Sequence, residues 1–150
     1  MLPSLTASPV EPPKMRVTRP VAMVSLKPIV GGPATFSQAL IRQLNEAALR
    51  ENIALLVDAD ARGSHALSGF LVINANAGAV RLTHVWDVVN ANGERIARIS
   101  GEENVRVLAA GQDTWAAVSP ALVAAIADKV ITRLSADVRP AAPLAAEAVR

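Results

Sequence analysis

The chain has 150 residues, 51% of them hydrophobic and 19% charged, with a formal net charge of +2. That suffices for one domain with a real core and is too apolar for an intrinsically disordered chain. The absence of cysteine excludes disulfides, thiolate metal sites and cysteine nucleophiles.

Residues 1–19 are rich in Pro, Ser and Thr. Proline removes backbone donors and favours extended chain, so this stretch reads as a flexible lead or tether. "VAMVSLKPIV" at 21–30 is apolar and partly β-branched, the pattern of a buried strand ending near Pro28. Gly32 can cap and Pro33 suits a first helical turn. From Ala34 to Glu51 the period is helical. Phe36, Leu40, Leu44, Ala47 and Ala48 share one face, and Asn52 is a natural stop.

"IALLVDAD" at 53–60 predicts a second strand, and "ALSGFLVINA" at 66–75 a third. Gly69 inside the third suggests a bulge or a close backbone approach. "NAG" at 76–78 turns the chain into a fourth strand at 79–89. One face of that strand carries Val80, Leu82, His84, Trp86 and Val88; the other carries Arg81, Thr83, Val85, Asp87 and Val89. "NANG" follows, with Gly93 free to adopt positive φ, and "ERIARISGEENVRVL" returns as a fifth strand. Asp113 starts a short turn, "DTWAAV". Ser119 then caps a helix with Pro120 at its first position. Leu122, Val123, Ile126, Val130 and Leu134 form its apolar stripe. Residues 136–150 are an Ala/Pro-rich tail, in which Pro140 and Pro143 oppose a continuous helix.

The expected fold is α+β, a two-layer sandwich in the order β-α-β-β-β-β-α. The sheet is mostly antiparallel with two helices on one face. The first strand, helix and second strand suit a right-handed parallel unit. The domain spans 20–135.

The candidate site residues are Trp86, Trp115, Arg81 and Asp87. Trp86 lies among apolar residues, so core packing is the plain reading and an exposed anchor for a partner the functional one. Trp115 either staples the last helix to the sheet or sits at a rim. Arg81, Thr83, Asp87 and the charges of the fifth strand form a mixed-charge face. Such a face suits a polar partner or water, and an edge strand could accept a partner strand. Glu94, Glu102 and Glu103 are expected to pair across strands with Arg81, Arg95 or Arg98.

Chemistry is thinly represented. His65 and His84 show no metal-ligand spacing, so no metal and no cofactor are expected. Asp58 and Asp60 read as a solvated loop, without a phosphate-binding glycine loop beside them. No serine sits in a nucleophile elbow. Basic residues are scattered rather than striped, and aromatics number only two Trp and two Phe, which argues against a nucleic-acid partner. No run approaches about 18 apolar residues, so no span is expected.

The runs "HALSGFLVINANAGAVRLTHVWDVVNANGERIARISGEENV" and "DTWAAVSPALVAAIADKVITRL" resemble uncharacterised cell-envelope lipoproteins of α-proteobacteria. Those share a "VWDV…G.R..RI.G.E" hairpin, a "WAAV" step and a closing helix. The likeness covers about residues 20–135 and is specific in the hairpin and "WAAV". It implies a small periplasmic α/β domain and supplies no catalytic residues. The chain departs from it in having no lipid-acceptor cysteine, so any lipid anchor is expected upstream of Met1.

The leading expectation is therefore a non-enzymatic accessory or interaction domain of the bacterial cell envelope, an outer-membrane lipoprotein in the periplasm. Its partner would be an envelope protein, peptidoglycan or another copy of itself. A soluble small-molecule-binding module is the alternative, and would need an apolar pocket lined by Trp86 and Phe70. A hydrolase or transferase would need Asp58, Asp60 and His84 to converge.

Overall fold

The computed structural model describes residues 20–57, 62–76, 79–106 and 113–139. Its elements are β1 (Ala22–Leu26), α1 (Ala34–Arg50), β2 (Ile53–Leu56), β3 (His65–Asn76), β4 (Ala79–Asn90), β5 (Arg95–Val105) and α2 (Pro120–Val138). This is the expected β-α-β-β-β-β-α order. The five strands form one sheet in the order β2-β1-β3-β4-β5.

β1 pairs parallel with both β2 and β3, whereas β3-β4-β5 is an antiparallel meander. A parallel neighbour needs a crossover, and α1 supplies it between β1 and β2. β2 is shorter than its sequence pattern predicts, ending at Leu56; Asp58 and Asp60 lie outside the described residues. The ends of the fifth-strand reading (Val107 and Leu108), the turn at 77–78, and both tails beyond 20 and 139 also lie outside them.

Helix α1 buries the face that its period predicts: Phe36, Leu40, Leu44, Ala47 and Ala48. Its N-cap residue is Pro33 rather than Gly32, and no side chain caps it. Asn52 stops the helix in the left-handed region at φ 60°, a conformation asparagine tolerates better than most residues. Between β1 and α1 the chain makes one more bridge, Val30 to Phe70, parallel to β3. The following Gly31 has φ 105°, and a Cβ there would lie 2.1 Å from the Leu71 carbonyl oxygen.

Both helices cover one face of the sheet. From that face β1 contributes Val24 and Leu26, β3 Leu67 and Leu71, β4 Leu82, Trp86 and Val88, and β5 Ile99 and Val105. They meet Leu40 and Leu44 of α1 and Ile126, Val130, Ile131 and Leu134 of α2. A strand period of two against a helix period of 3.6 makes this a single core layer.

Gly69 sits in an unbroken β3–β4 register opposite Trp86. The close approach, not the bulge, is realised there: a Cβ would lie 2.3 Å from Trp86 Cζ3. The bulge falls elsewhere, at Val88/Val89 against Arg95 and Ala97, with Ile96 the extra residue. The turn behind it holds Gly93 at φ 85°, with Asn90 Oδ1 accepting from the backbone N–H groups of Asn92 and Glu94.

Helix α2 starts as the sequence predicts, with Ser119 Oγ accepting from the Leu122 N–H at 3.1 Å and Pro120 in the first turn. Replacing Ser119 with alanine is expected to lower stability by about 1 kcal/mol, measured by urea denaturation; an unchanged midpoint would show the cap to be idle. The helix runs to Val138, beyond the start of the Ala/Pro-rich stretch. Arg139 then ties the two helix ends together, donating to Ser135 Oγ and to the Glu51 carboxylate. No helix among the described residues is long and apolar enough to cross a membrane.

Candidate interaction surface

The helices leave the other face of the sheet uncovered, and alternation decides what stands there. On β4 these are Arg81, Thr83, Val85, Asp87 and Val89, each facing its cross-strand partner on β5. Asp87 takes a two-point grip from Arg98, Nε to Oδ1 at 2.7 Å and Nη2 to Oδ2 at 3.1 Å, with Arg95 3.9 Å away. A planar guanidinium matches a carboxylate this way. The hydrogen bond from Arg98 holds the Asp87 carboxyl below its usual range, outweighing a small opposing effect of burial. Arg81 reaches Glu102 at 3.3 Å. The expected cross-strand pairing is thus realised for Glu102 and extends to Asp87. Glu94 instead accepts from Asn90 Nδ2 in the turn.

Beside these charges runs an apolar strip. Phe70 is 42% exposed, Val72 52% and Val30 57%. Bridge partners point to the same side of a sheet, so Val30 stands next to Phe70, and Val85 faces Phe70 from β4. Met23 on β1 is also exposed. A large aromatic and three aliphatic side chains thus share one open face, edged by ion pairs.

Under the helices lies a different set of polar groups. Trp86 is fully buried, and its indole N–H donates to His84 Nδ1 at 3.0 Å. An indole nitrogen can only donate, so Nδ1 must carry a lone pair. The proton of the neutral imidazole is then on Nε2, which donates to Glu103 Oε2 at 3.2 Å. Lys129 of α2 closes the chain, donating to the same oxygen at 2.7 Å. Gly101 lies opposite His84 in the ladder, and a Cβ there would come within 2.9 Å of the imidazole. Two glycines on flanking strands therefore seat the two rings of β4.

This geometry fixes the sign of a pH effect. Burial lowers the His84 pKa below its ordinary value, against the opposing pull of Glu103. Protonating Nδ1 would also set two N–H groups against each other. Burial pushes Glu103 up, but hydrogen bonds from Lys129 and His84 hold it below its ordinary value overall. The unfolded chain takes up a proton on His84 below about pH 6.5 that the folded chain refuses. Stability contributed by neutral His84 is therefore present above that pH and falls as pH drops toward the folded value. Denaturant midpoints should decline from pH 7 to 5.5, and His84→Gln should flatten the decline. A midpoint that rises on acidification would contradict the assignment.

The four candidate site residues do not converge. Arg81 and Asp87 stand on the open face. Trp86 is on the opposite face, wholly within the core, and offers no surface to a partner. Trp115 is half-buried and packs edge-on against Phe36 at a ring separation of 5.0 Å, over Gly32. It staples the turn before α2 to the start of α1 and packs against the core. Phe70 and Trp86 lie on opposite faces, so the apolar pocket lined by both is not formed. Glu103, grouped by sequence with the surface acids, belongs to the helix side. Its place in the alternation Ile99, Gly101, Glu103, Val105 was the available signal. Among the described residues no group of three or more His, Cys, Asp or Glu could hold a metal ion.

No protein-family model and no curated protein sequence matches the chain. Solved structures do show likenesses. PelC from Paraburkholderia phytofirmans, a dodecamer, is 13% identical, with 75% of this chain and 90% of that one covered at a TM-score of 0.45. A Xanthomonas campestris protein of the DUF330 family is 13% identical over 83% of this chain and 86% of that one, at a TM-score of 0.44. A lipoprotein of Neisseria meningitidis is 8% identical over 76% and 96%, at a TM-score of 0.46. At such identities and TM-scores these likenesses carry no inference about activity or partner.

Proposed function

We propose that this chain is a non-enzymatic interaction domain of the bacterial cell envelope, and that its working surface is the open face of its sheet. The observation that carries the reading is the strip Val30, Phe70 and Val72 beside the ion pairs of Asp87 and Glu102. Apolar area supplies affinity, and a charged rim supplies register and selectivity. The titratable groups under the helices are engaged with one another: His84 has both ring nitrogens committed and is fully buried. They support a structural role for that cluster.

The envelope setting rests on the sequence resemblance in the hairpin and "WAAV". In this reading residues 1–19 tether the domain at 20–135 to a lipid anchor, and an envelope protein docks on the sheet. Protein isolated from its native cells, analysed by intact mass and N-terminal sequencing, should carry a lipid-modified cysteine ahead of residue 1. A mature cytosolic protein beginning at Met1 would overturn the envelope assignment and leave the surface to be reassigned.

A further inference from the structure

The two edges of the sheet differ. β2 is 4 residues long, whereas β5 is 11. Between Ala97 and Val105 β5 is regular, and among the described residues it pairs with β4 along one side only. It contains no proline, and its charges, Arg95, Arg98, Glu102 and Glu103, are of both signs, so they oppose pairing with most strands but can match a strand that presents them in the reverse order. Its bulge is confined to the hairpin end, at Arg95 and Ile96.

We propose that β5 pairs antiparallel with β5 of a second copy, about a two-fold axis at Ser100, joining two sheets into one. The sequence of the strand selects that partner and that register. With Ser100 opposite itself, Arg98 of each copy stands opposite Glu102 of the other, twice, as a two-fold interface requires. Each of those side chains already has an opposite charge on its own β4: Arg98 holds Asp87, and Glu102 holds Arg81. Dimerisation extends these into two alternating rows: Asp87 and Arg98 of one copy, then Glu102 and Arg81 of the second.

Other registers are worse. Centring on Arg98 or on Glu102 sets like charges directly opposite, which destabilises a strand pair. Centring on Ile99 or Gly101 leaves both charges facing uncharged residues. A slip by a single residue would turn the helices of the two copies to opposite faces.

Sedimentation equilibrium of the full chain at about 100 μM should give the mass of a dimer. Arg98→Glu and Glu102→Arg should each weaken association by about tenfold or more, and the double exchange, which re-forms the pairs between copies while losing those to Asp87 and Arg81, should recover part of it. The chain has no cysteine, so Ser100→Cys carries a single thiol placed against its own copy. It should oxidise to a covalent dimer, while Arg42→Cys on α1 should not. This thiol pair decides the matter if a charge variant loses its circular dichroism. A monomer at that concentration overturns the proposal. So does a dimer that tolerates Arg98→Glu and in which Ser100→Cys links no faster than Arg42→Cys.

Discussion

Trp86→Ala should lower stability by about 3–5 kcal/mol, the range for deleting a large buried aromatic. The ring is the largest fully buried side chain of the core. Its loss also removes the donor to His84 Nδ1, leaving a buried acceptor unpaired. In a domain of this size the melting temperature should fall by more than about 10 °C. Trp86→Phe separates the two effects. It keeps most of the packing but frees Nδ1 to accept a proton, so its stability should fall less at pH 7 and depend less steeply on pH below 6.5. A Trp86→Ala variant melting within about 2 °C of the parent would show that the ring does not hold the core.

Gly69→Ala is the second large effect, and it has the opposite cause. The added Cβ would meet Trp86 Cζ3 at 2.3 Å and Cε3 at 2.6 Å. The ring cannot retreat, because its indole N–H is tied to His84 and the helices lie above it. Overpacking of this kind should lower stability by about 2–3 kcal/mol, with Gly69→Val worse. The penalty should shrink by at least about 1 kcal/mol when Trp86 is replaced by alanine, because the clash then has no second partner. Equal penalties in both backgrounds, measured by urea denaturation, would mean that the glycine is needed for its backbone alone.

Much of the fold is legible in these residues, for identifiable reasons. The stripe Phe36, Leu40, Leu44, Ala47 and Ala48 admits only a helix with one buried side. Ser119-Pro120 marks the start of α2 because cap and first-turn preferences agree there. The alternation around Trp86 assigns the faces of β4. What the sequence leaves open is how far each pattern extends. β2 stops at Leu56 although its apolar run continues, and α2 persists to Val138 because that valine is buried and Arg139 is anchored by Ser135 and Glu51. Local propensity does not contain such long-range contacts.

The candidate surface was legible in part, for the same reason. Arg81 and Asp87 could be placed on one face by period alone. The exposure of Phe70 could not be read, because an aromatic in a strand is ordinarily counted as core. Gly69 gave the clue: a glycine between Ser68 and Phe70 leaves space on one face of β3, and Trp86 fills it. Phe70 is thereby sent to the other face, beside Val30. The Glu103–Lys129 contact joins a strand to a helix 26 residues later, and no local pattern predicts it.

The most direct measurement is site-specific photo-crosslinking in native cells. A photoreactive side chain at Val72 or Arg81 probes the open face, and one at Arg42 or Arg133 probes the solvent side of the helices. The expected result is one discrete adduct from the sheet positions, lost when Phe70→Asp is added, with none from the helical positions. Adducts from Arg42 or Arg133 alone, or a Val72 adduct indifferent to Phe70→Asp, would contradict the open face as the working surface.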